Sequence, residues 1–595
     1  MTSYIWSPEL PYSKPASPDK TVYESDVLVI GGGFSGLMAA LAAREAGCSV
    51  VLADKGLPGF SGLTPFVSDT RWFDPDMGDD IEKHVAYHKG ASQYIGNLNW
   101  YRAWCEGSKE IYEAYRDLGL LEQYPDSAET GHAQTGDYSG YARYIRKKDR
   151  HFRFMEILKE QGVTVVSHTM IWDILMEDGR ACGAVGFHVP SGTRQTFHAK
   201  AVVMCMGAGI YKSAGWPTGG ISFDAIAIGY RHGLPVIGQE FEDFHKTRPD
   251  APGNGARMHW NAYLHNIGFG GGDITDELIK VAGTDRTKLY SDNVEAAIEG
   301  TAPFVPSEQR PWSPPPVERR PDDIRTMKTL GGSGVIPRIT GNAAGGAPGF
   351  GMHLTNGIFC GTDSTDGATA IPGLYCAGDG CNGSGVCGAS YAGRPGFTSN
   401  FAGFQGKRVG GFAGEYAKNM QDLRKASLET VQTCFEQMEE PLHVEKGYSS
   451  EWALDCLHGI MAPMWTILTK NEACLEAALT QVGFMRDHIC PKLQANDGHS
   501  LRSCLEVKNK VLEAEMKLRA SLERKETRGG HYRMDYPLRN DKEFLCYFAA
   551  AMADDGSMEI RRIEIPDEWK GDLSAPYLER YAGKSRYPGE MEALR

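Results

Sequence analysis

The feature that most constrains the fold is a glycine-rich turn near the start of the 595-residue chain. An apolar, β-branched run at residues 26–30 (DVLVI) leads into residues 31–36 (GGGFSG), and strong helix formers follow at residues 37–43 (LMAALAA). A short apolar run without polar alternation is typical of a buried parallel strand. Strand, glycine turn and helix in this order predict a Rossmann-type βαβ unit.

The spacing of the glycines within the turn predicts a bound dinucleotide. Gly31 allows a tight turn, Gly33 lets a pyrophosphate approach the backbone, and Gly36 permits close packing of the helix. The helix begins with Phe34 and Ser35, whose backbone N–H groups would face the phosphates. These five residues are therefore candidate cofactor contacts.

A second apolar run predicts the next strand of the same unit. Residues 49–53 (SVVLA) end at Asp54, at the distance of about 20 residues at which dinucleotide sites carry a ribose-binding acid. A carboxylate here accepts hydrogen bonds from the adenosine ribose hydroxyls and disfavours a 2′-phosphate. We predict that Asp54 binds the cofactor together with Lys55, Ser61 and Gly62.

Two downstream segments resemble those of flavoproteins with the two-dinucleotide fold. Residues 371–379 (IPGLYCAGD) resemble the IPGLYAAGE segment that returns the chain to the isoalloxazine ring, where the acid bonds the ribityl chain. Residues 201–209 (AVVMCMGAG) resemble the VVLATGGAG strand and turn beside the adenine half. The resemblance implies FAD as the cofactor, and it implies further candidate contacts at Ala208, Gly209, Asp224, Gly378, Asp379, Thr398 and Ser399.

The middle of the chain is similar to a segment of fumarate reductases. Residues 238–247 (GQEFEDFHKT) resemble the EFVQFHPT segment of those enzymes, which leads into a capping domain. His245 and Thr247 match the histidine and threonine of that segment, in which the threonine helps to bind substrate. The resemblance implies that both residues are candidate catalytic residues for proton delivery or substrate orientation.

The most specific motif lies near the carboxyl end. Residues 524–541 (RKETRGGHYRMDYPLRND) resemble the ESRGAHxRxDxPxRDD signature of succinate dehydrogenase, fumarate reductase, aspartate oxidase and adenylylsulfate reductase flavoproteins. On these motifs the chain is identified as a member of the fumarate reductase/succinate dehydrogenase flavoprotein superfamily. We interpret Arg528, His531 and Arg533 as residues that hold a helical domain against the flavin domain rather than as residues that contact substrate.

The predicted fold class is α/β. It combines a Rossmann-type FAD-binding domain of the glutathione-reductase-like two-dinucleotide type, an inserted α+β capping domain and a C-terminal helical domain. In the last of these, residues 501–526 show helical periodicity with a charged face, which predicts a helix. A chain of this length is too long for one hydrophobic core. The predicted boundaries are an N-terminal extension at 1–24, the FAD-binding domain at 25–241 and 355–425, the capping domain at 242–354 and the helical domain at 426–595.

The chain departs from the respiratory enzymes at the point of flavin attachment. Those enzymes attach the flavin covalently through a histidine in an SHT motif, whereas residues 59–66 (GFSGLTPF) contain no histidine. We therefore predict that FAD binds non-covalently.

The chain also departs at the residues that clamp a dicarboxylate. Residues 386–393 (VCGASYAG) carry Tyr391 where the family's HGANRLGGNS motif has an arginine, and His353 is displaced from the histidine of the HTMGG motif. A neutral phenol cannot neutralise a carboxylate. Residues 391–396 (YAGRPG) resemble instead the YPGPG motif of 3-ketosteroid dehydrogenases, where a tyrosine hydrogen-bonds the substrate carbonyl. The resemblance implies Tyr391 as the electrophilic donor, and a core tyrosine beside the cofactor is the alternative.

Charge and composition exclude several other classes of function. A net charge of −14 argues against nucleic-acid binding. We find no run of roughly 20 apolar residues and no signal-peptide pattern, so we predict no direct membrane insertion and a cytoplasmic location. The 14 cysteines include no CxxC pair, which argues against a disulfide scaffold, an iron–sulfur cluster within this chain and a metal site.

Three hypotheses for the function remain open at this point. The first is a flavoenzyme that reduces or introduces a carbon–carbon double bond conjugated to a carbonyl, with a small-molecule substrate and an external electron donor or acceptor. The second is the flavoprotein subunit of an electron-transfer complex with an iron–sulfur partner. The third is a flavoprotein without turnover that serves as a scaffold. A homo-oligomer is compatible with each of them.

Overall fold

The computed structural model describes most of the chain outside the predicted capping domain. The described residues are 19–66, 69–122, 140–144, 147–207, 209–213, 221–241, 243–245, 294–295, 298, 349–352, 357–381, 397–461, 463–584 and 586–595.

Strands and helices alternate in the first half of the described chain, and helices dominate the second half. The strands are β1 Val22–Ile30, β2 Val50–Ala53, β3 Asp69–Trp72, β4 Leu121–Glu122, β5 Gly140–Tyr144, β6 Thr164–Val166, β7 Thr169–Glu177, β8 Arg180–His188, β9 Thr193–Met204, β10 Lys212–Ser213, β11 Val236–Ile237, β12 Asp243–His245, β13 Gly349–Met352, β14 Leu374–Cys376, β15 Cys546–Met552 and β16 Met558–Glu564. The helices are α1 Phe34–Glu45, α2 Ile81–Ala91, α3 Leu98–Asp117, α4 Lys147–Glu160, α5 Asp224–Arg231, α6 Phe397–Asn419, α7 Leu428–Glu439, α8 Ser450–Met461, α9 Met464–Ile467, α10 Glu472–Phe484, α11 Gly498–Glu523, α12 Asp541–Phe544, α13 Asp567–Lys570, α14 Tyr577–Arg580 and α15 Glu590–Ala593.

A seven-stranded sheet forms the centre of the first half of the chain. Its order is β6-β2-β1-β9-β8-β7, and β14 also pairs with β9. Strands β2, β1, β9 and β14 run parallel, and their last residues are in register, with Ile30 opposite both Ala53 and Met204 and Cys376 opposite Met204. Four parallel strands therefore end at one edge of the sheet, which is where ligands bind in open α/β folds.

Helix α1 packs against α6 at unusually short range. A Cβ atom on Gly406 would lie 2.0 Å from the carbonyl oxygen of Ser35, and one on Gly410 would lie 2.3 Å from that of Ala39. Glycine is therefore required at both positions of α6. This close approach brings the middle of α6, at Gly406, against Ser35 of the glycine turn.

An aromatic core lies behind the two helices. It contains Trp100, Trp104 and Tyr115 of α3, each at most 1% exposed, and Trp104 Nε1 donates to Asn400 Oδ1 at 2.9 Å. Trp72 and Phe73 are buried as well.

Several helices of the described chain begin at a side-chain cap. The side chains of Asp80, Asn97, Ser427 and Asn471 each accept a hydrogen bond from a backbone N–H of the first turn. Asp497 and Ser500 form a reciprocal capping box at the start of α11. Helix α1 is among the helices without such a cap, because Gly33 at its N-terminus has no side chain.

The chain leaves the FAD-binding region at β12 and returns at β13, and these strands pair antiparallel. Strand β13 also pairs with β10, so the three strands form a small sheet. The segment between β12 and β13 corresponds to most of the predicted capping domain. Nearly all of it lies outside the described residues, and the four domain boundaries stay predictions.

The C-terminal region is mainly helical, as predicted, and it adds a hairpin that the sequence analysis did not include. Strands β15 and β16 pair antiparallel, and β15 also pairs with β11, with Val236 opposite Ala550. The predicted helix at residues 501–526 is observed as α11, residues 498–523. Its charged residues do not form a solvated face, since Glu506, Lys510, Glu513 and Lys517 are all buried. None of the helices in the described part of the chain is both long enough and apolar enough to span a membrane.

Candidate cofactor site

The glycine turn lies at the carboxyl end of β1, where it touches the end of β9. Gly31 has a φ of +102°, and a Cβ atom there would lie 2.2 Å from the carbonyl oxygen of Cys205. A Cβ atom on Gly36 would lie 1.8 Å from the carbonyl oxygen of Gly31. Gly33 provides no side-chain cap for α1, which suits a dinucleotide site at this helix N-terminus.

Asp54 ties the end of β2 to the glycine turn. Its Oδ2 accepts a hydrogen bond from the backbone N–H of Gly32 at 2.6 Å, and its Oδ1 accepts one from that of Gly56 at 2.7 Å. Ser61 Oγ also donates to this carboxylate, at 2.8 Å. The side chain is 4% exposed. The predicted ribose acceptor is therefore fixed beside the turn, and free lone pairs on its two oxygens can still accept ribose hydroxyls.

Gly378 and Asp379 follow β14 and reach the same place from the other side. Gly378 has a φ of +79°, its N–H donates to Gln405 Oε1 at 2.9 Å, and a Cβ atom on it would lie 3.1 Å from Ser35 Cβ. Burial raises the pKa of the Asp379 carboxyl to about 7. Within the part of the chain that the structure describes, no group hydrogen-bonds this carboxyl. A desolvated carboxyl without a protein partner is expected where a ligand supplies the partner.

Lys55 and Asp224, which were predicted as cofactor contacts, lie together beside Asp54. Lys55 Nζ is 2.7 Å from Asp224 Oδ2 and 2.8 Å from Glu506 Oε1. Burial alone would lower the pKa of Lys55, but the two carboxylates raise it above its usual value. Burial alone would raise the pKa of Asp224, but Lys55 and the hydrogen bonds to the carboxylate lower it. Both charges are satisfied inside the protein, and contact with the cofactor stays a prediction.

The structure describes the other predicted cofactor residues to different extents. Gly209 packs under Phe223, whose ring would lie 2.1 Å from a Cβ atom on Gly209, and Gly62 has a φ of +63°. Ser399 is buried, and its carbonyl oxygen accepts a hydrogen bond from the Tyr115 hydroxyl at 3.0 Å. Three predicted residues have only their backbone described or lie outside the described residues: Thr398 in α6, His245 at the end of β12, and Ala208.

The two remaining predicted catalytic residues, Tyr391 and Thr247, lie outside the described residues. Their assignment stays a prediction. Among the described residues, no group of histidine, cysteine and carboxylate side chains is arranged to hold a metal ion.

Three thiols lie in the wall behind the Asp379 turn. Cys360 Sγ is 3.6 Å from Cys381 Sγ, and Cys376 lies close enough to hydrogen-bond both. Hydrogen bonds to Cys376 and Cys381, together with burial, hold the pKa of Cys360 well above its usual value. Burial does the same for the pKa of Cys376. Cys360 and Cys376 are therefore protonated thiols that pack the wall and are poor nucleophiles.

The C-terminal signature forms a closed network of buried charges. Arg528 donates to both oxygens of Glu526, to Asp541 Oδ1 at 2.7 Å and to Tyr581 Oη at 2.8 Å. Arg524 pairs with Glu240 at 2.8 Å. Both arginines are fully buried. The network joins the signature to the segment that precedes β12, which agrees with the interpretation of Arg528 as a residue of the domain interface.

His531 is a neutral member of the same network. Burial and the nearby Lys470 and Arg533 hold its pKa well below the usual value. Its Nε2 donates to the carbonyl oxygen of Arg524 at 3.0 Å, and its Nδ1 accepts from Lys470 Nζ at 3.2 Å. Arg533 pairs with Asp535 at 2.8 Å. In this setting both His531 and Arg533 act as structural residues.

Sequence analysis did not identify the partners that complete these networks. Gln93, at the end of α2, accepts hydrogen bonds from Gly529 N–H and Arg539 Nε. It has a φ of 50° and its neighbour Tyr94 a φ of 70°, a left-handed turn that side chains rarely adopt. Glu506 was also missed. Neither residue stands in a local motif, and only their positions in space reveal their roles.

Two family models match the chain. A model described as an FAD binding domain matches residues 26–247, and one described as the C-terminal part of the fumarate reductase flavoprotein matches residues 460–572. The first match contains the glycine turn, Asp54 and Asp224. The second contains the buried signature network.

Relatives of known name are similar over nearly the full chain. A fumarate reductase (CoM/CoB) polypeptide of Methanothermobacter marburgensis is 24% identical over 87% of this chain and 96% of its own length. The fumarate reductase flavoprotein subunit of Haemophilus influenzae is 22% identical over 90% of this chain and 93% of its own.

Solved structures share the fold. A variant of the E. coli quinol fumarate reductase superposes with a TM-score of 0.74 at 19% identity, covering 94% of this chain and 99% of its own. An adenosine-5-phosphosulfate reductase superposes with a TM-score of 0.67 at 18% identity, covering 92% of this chain and 99% of its own.

Fold and site together define the class of the protein: it is an FAD-dependent oxidoreductase of the kind that acts on CH–CH groups. The glycine turn, the uncapped helix, Asp54 and Asp379, which has no partner among the described residues, fit the cofactor that this class uses. Over nearly its whole length the chain is similar to fumarate reductase flavoproteins.

Proposed function

We propose that this oxidoreductase reduces, or in the reverse direction introduces, a carbon–carbon double bond conjugated to a carbonyl group, and that it is not specific for dicarboxylates. The observation that carries the proposal is Tyr391, which stands where the family has a clamping arginine. A phenol can donate a hydrogen bond to a carbonyl oxygen but cannot neutralise a carboxylate.

The Tyr391 segment lies in sequence between the Asp379 turn and α6, whose Gly406 packs against Ser35 of the glycine turn, which supports this proposal. Cys381 closes the Asp379 turn, because its N–H donates to the carbonyl oxygen of Gly378 at 3.1 Å. On the other side of the segment, Ser399 is held in α6 by Tyr115 at 3.0 Å. We therefore expect the Tyr391 hydroxyl to reach a substrate that lies against the flavin.

The pairing of the signature arginines also supports a substrate other than a dicarboxylate. Arg524, Arg528 and Arg533 are fully buried and donate to carboxylates of the chain itself. Turning one of them toward a substrate would leave a buried carboxylate unpaired, at a cost of several kcal/mol. These arginines are thus poor candidates to replace the missing clamp.

Each residue has a defined part in the proposed reaction. FAD supplies the hydride chemistry when it is bound. Asp54 and Asp379 hold its two ends, and the N-terminus of α1 binds its pyrophosphate. Tyr391 polarises the substrate carbonyl, and His245 and Thr247 orient the substrate or deliver the proton.

The direct test of this proposal is Tyr391→Phe, which removes one donor and keeps the aromatic ring. We expect reoxidation of the reduced flavin by an enone substrate to slow by about 10²- to 10³-fold, with FAD content unchanged. Stopped-flow absorbance of the flavin measures the rate. A variant with wild-type single-turnover kinetics would show that the tyrosine only packs, and attention would move to His245.

Fumarate separates this proposal from the activity named for the relatives. Because Tyr391 replaces the arginine clamp, we expect poor fumarate reduction with reduced viologen as the donor. The matched measurement uses an enone of similar size without carboxylates. Fumarate turnover as fast as enone turnover would overturn the proposal.

A second candidate function is the flavoprotein subunit of a larger electron-transfer complex with an iron–sulfur partner. It is favoured by the names of the relatives, several of which are subunits. Purification from the native source, followed by iron analysis and visible absorbance, tests it. Iron that copurifies in a fixed ratio to FAD would support the complex, and a flavin spectrum alone would favour the independent enzyme.

Non-covalent FAD and a cytoplasmic location are parts of the proposal. The first rests on residues 59–66, which carry no histidine, so acid precipitation should release all of the yellow flavin into the supernatant. Flavin that stays with the pellet would disprove it.

The cytoplasmic location is supported by the cysteines of the described residues, which are free thiols and suit a reducing compartment.

A further inference from the structure

The residue that follows the ribose acceptor connects two distant parts of the chain. Lys55 Nζ is 2.7 Å from Asp224 Oδ2, 2.9 Å from Ser222 Oγ and 2.8 Å from Glu506 Oε1. Asp224 begins α5 of the FAD-binding region, whereas Glu506 lies on α11 of the C-terminal region. One ammonium group therefore joins the two regions beside Asp54.

A second contact from α11 supports the first. Asn509, about one turn after Glu506, donates from Nδ2 to Asp224 Oδ1 at 2.9 Å, and Ser222 Oγ donates to the same oxygen at 2.8 Å. Helix α11 is anchored in the hydrophobic core by Leu505 and Val511. Helix α11 thus presents Glu506 and Asn509 from a rigid support.

The ion pair is coupled directly to the cofactor turn. Lys55 is peptide-bonded to Asp54 and Gly56, and the Gly56 N–H donates to Asp54 Oδ1 at 2.7 Å. The other oxygen of the Asp54 carboxylate, Oδ2, accepts a hydrogen bond from the N–H of Gly32 at 2.6 Å. The position of residues 54–56 is therefore fixed from the glycine turn on one side and from α11 on the other.

We infer that Glu506 is a positioning residue for the cofactor: acting through Lys55, it lets the C-terminal helix α11 hold the adenosine end of the FAD site in its binding geometry. The inference rests on the binding of FAD at the glycine turn. Because coupling between two binding events is reciprocal, FAD in turn strengthens the docking of α11 on the FAD-binding region.

The test compares two glutamates of the same helix. Glu506→Gln keeps the shape of the side chain and removes the charge that Lys55 needs. Glu515→Gln is the matched control, because Glu515 is also buried and pairs with Arg486 and Arg519 at 2.6 and 2.7 Å, away from Lys55. Both substitutions should lower the thermal stability of the protein.

The deciding measurements are the affinities of the flavin-free protein for FAD, by fluorescence titration, and for ADP, by calorimetry. ADP serves as a probe of the adenosine half alone. We expect the loss of this ion pair to lower the affinity roughly tenfold, so Glu506→Gln should weaken the binding of both ligands by about that factor, and Glu515→Gln should weaken neither. Glu506→Asp should restore part of the affinity.

Two further measurements keep the outcome decisive. Asn509→Ala removes the second contact without a change of charge and should weaken the binding of ADP by a smaller factor. This variant still tests the inference if Glu506→Gln fails to fold. FAD should slow amide hydrogen exchange in α11 of the wild type and less so in Glu506→Gln. Unchanged affinities in Glu506→Gln, or equal losses in both glutamate variants, overturn the inference. Wild-type protein that binds ADP but not FAD would instead contradict the flavin assignment.

Discussion

Two buried charged regions of this molecule are equally easy to recognise as motifs, but they are built in opposite ways. Around the glycine turn, Asp379 lacks a partner among the described residues and α1 begins without a cap. In the signature, Arg528 alone donates to two carboxylates, a phenol and a carbonyl oxygen. Polar groups without a hydrogen-bond partner in the protein are expected where a ligand binds, whereas a network of charges that pair with one another stabilises the fold. Motif strength alone does not distinguish the two.

The largest effect should come from the closed region. Arg528→Met leaves Glu526 and Asp541 buried with one partner fewer, and breaking such a pair costs about 3 to 5 kcal/mol of unfolding free energy. Urea unfolding followed by tryptophan fluorescence measures the loss. The matched control is Arg561→Met, which breaks the exposed pair with Glu559 and should cost less than about 1 kcal/mol. Equal losses in the two variants would contradict the contrast between the regions.

A smaller and more selective effect should come from the open region. Asp54→Ala removes the predicted ribose acceptor and should weaken FAD about 10- to 100-fold. Asp26→Ala is the control from the opposite end of the same βαβ unit, where Asp26 accepts hydrogen bonds from Ser49 N and Oγ at 2.8 and 2.7 Å. Flavin content after dialysis reports both. If Asp26→Ala loses as much flavin as Asp54→Ala, the effect belongs to the fold rather than to the cofactor.

The smallest effect concerns the pH dependence of the flavin-free protein. Burial raises the pKa of Asp379 from 3.8 to about 7, so the folded state binds a proton more tightly than the unfolded state. The resulting stability is present at low pH and is lost as pH rises from about 4 through 7. Solvent still reaches part of this side chain and reduces the effect of burial, so we expect a loss of about 1 to 2 kcal/mol.

Asp379→Asn isolates this contribution, since the amide cannot titrate. Thermal midpoints of the flavin-free protein at pH 5 and pH 8 should differ less in the variant than in the wild type. The same pH dependence in both proteins would show that Asp379 does not carry the effect, and that its environment already contains a compensating group.

The sequence predicted the parts of the fold that short-range patterns encode. The apolar run at residues 26–30 lies within β1, and the predicted helix at residues 501–526 overlaps α11 with a shift of three residues at each end. Strand β1 begins earlier, at Val22, because its first residues pair with Thr196 to Ala199 of β9. That extension depends on a partner strand far along the chain, which no local pattern reveals.

The same reasoning explains what the sequence did not reveal about the site. Asp54 and Asp379 stand at fixed positions in motifs, so their places beside the turn were predictable. Glu506 and Gln93 act through contacts with residues several hundred positions away. The hairpin β15–β16 was missed because β15 pairs with β11, a strand that lies far earlier in the chain.

The left-handed turn at Gln93 also has a consequence for how the protein is made. Gln93 contacts Tyr587, 494 residues later in the chain, and its backbone oxygen accepts a hydrogen bond from Arg528. During synthesis the glycine turn emerges from the ribosome long before these partners exist. We therefore expect the turn at Gln93 to reach its final geometry only after the residues around Tyr587 have been synthesised, so that this part of the first half of the chain is completed late.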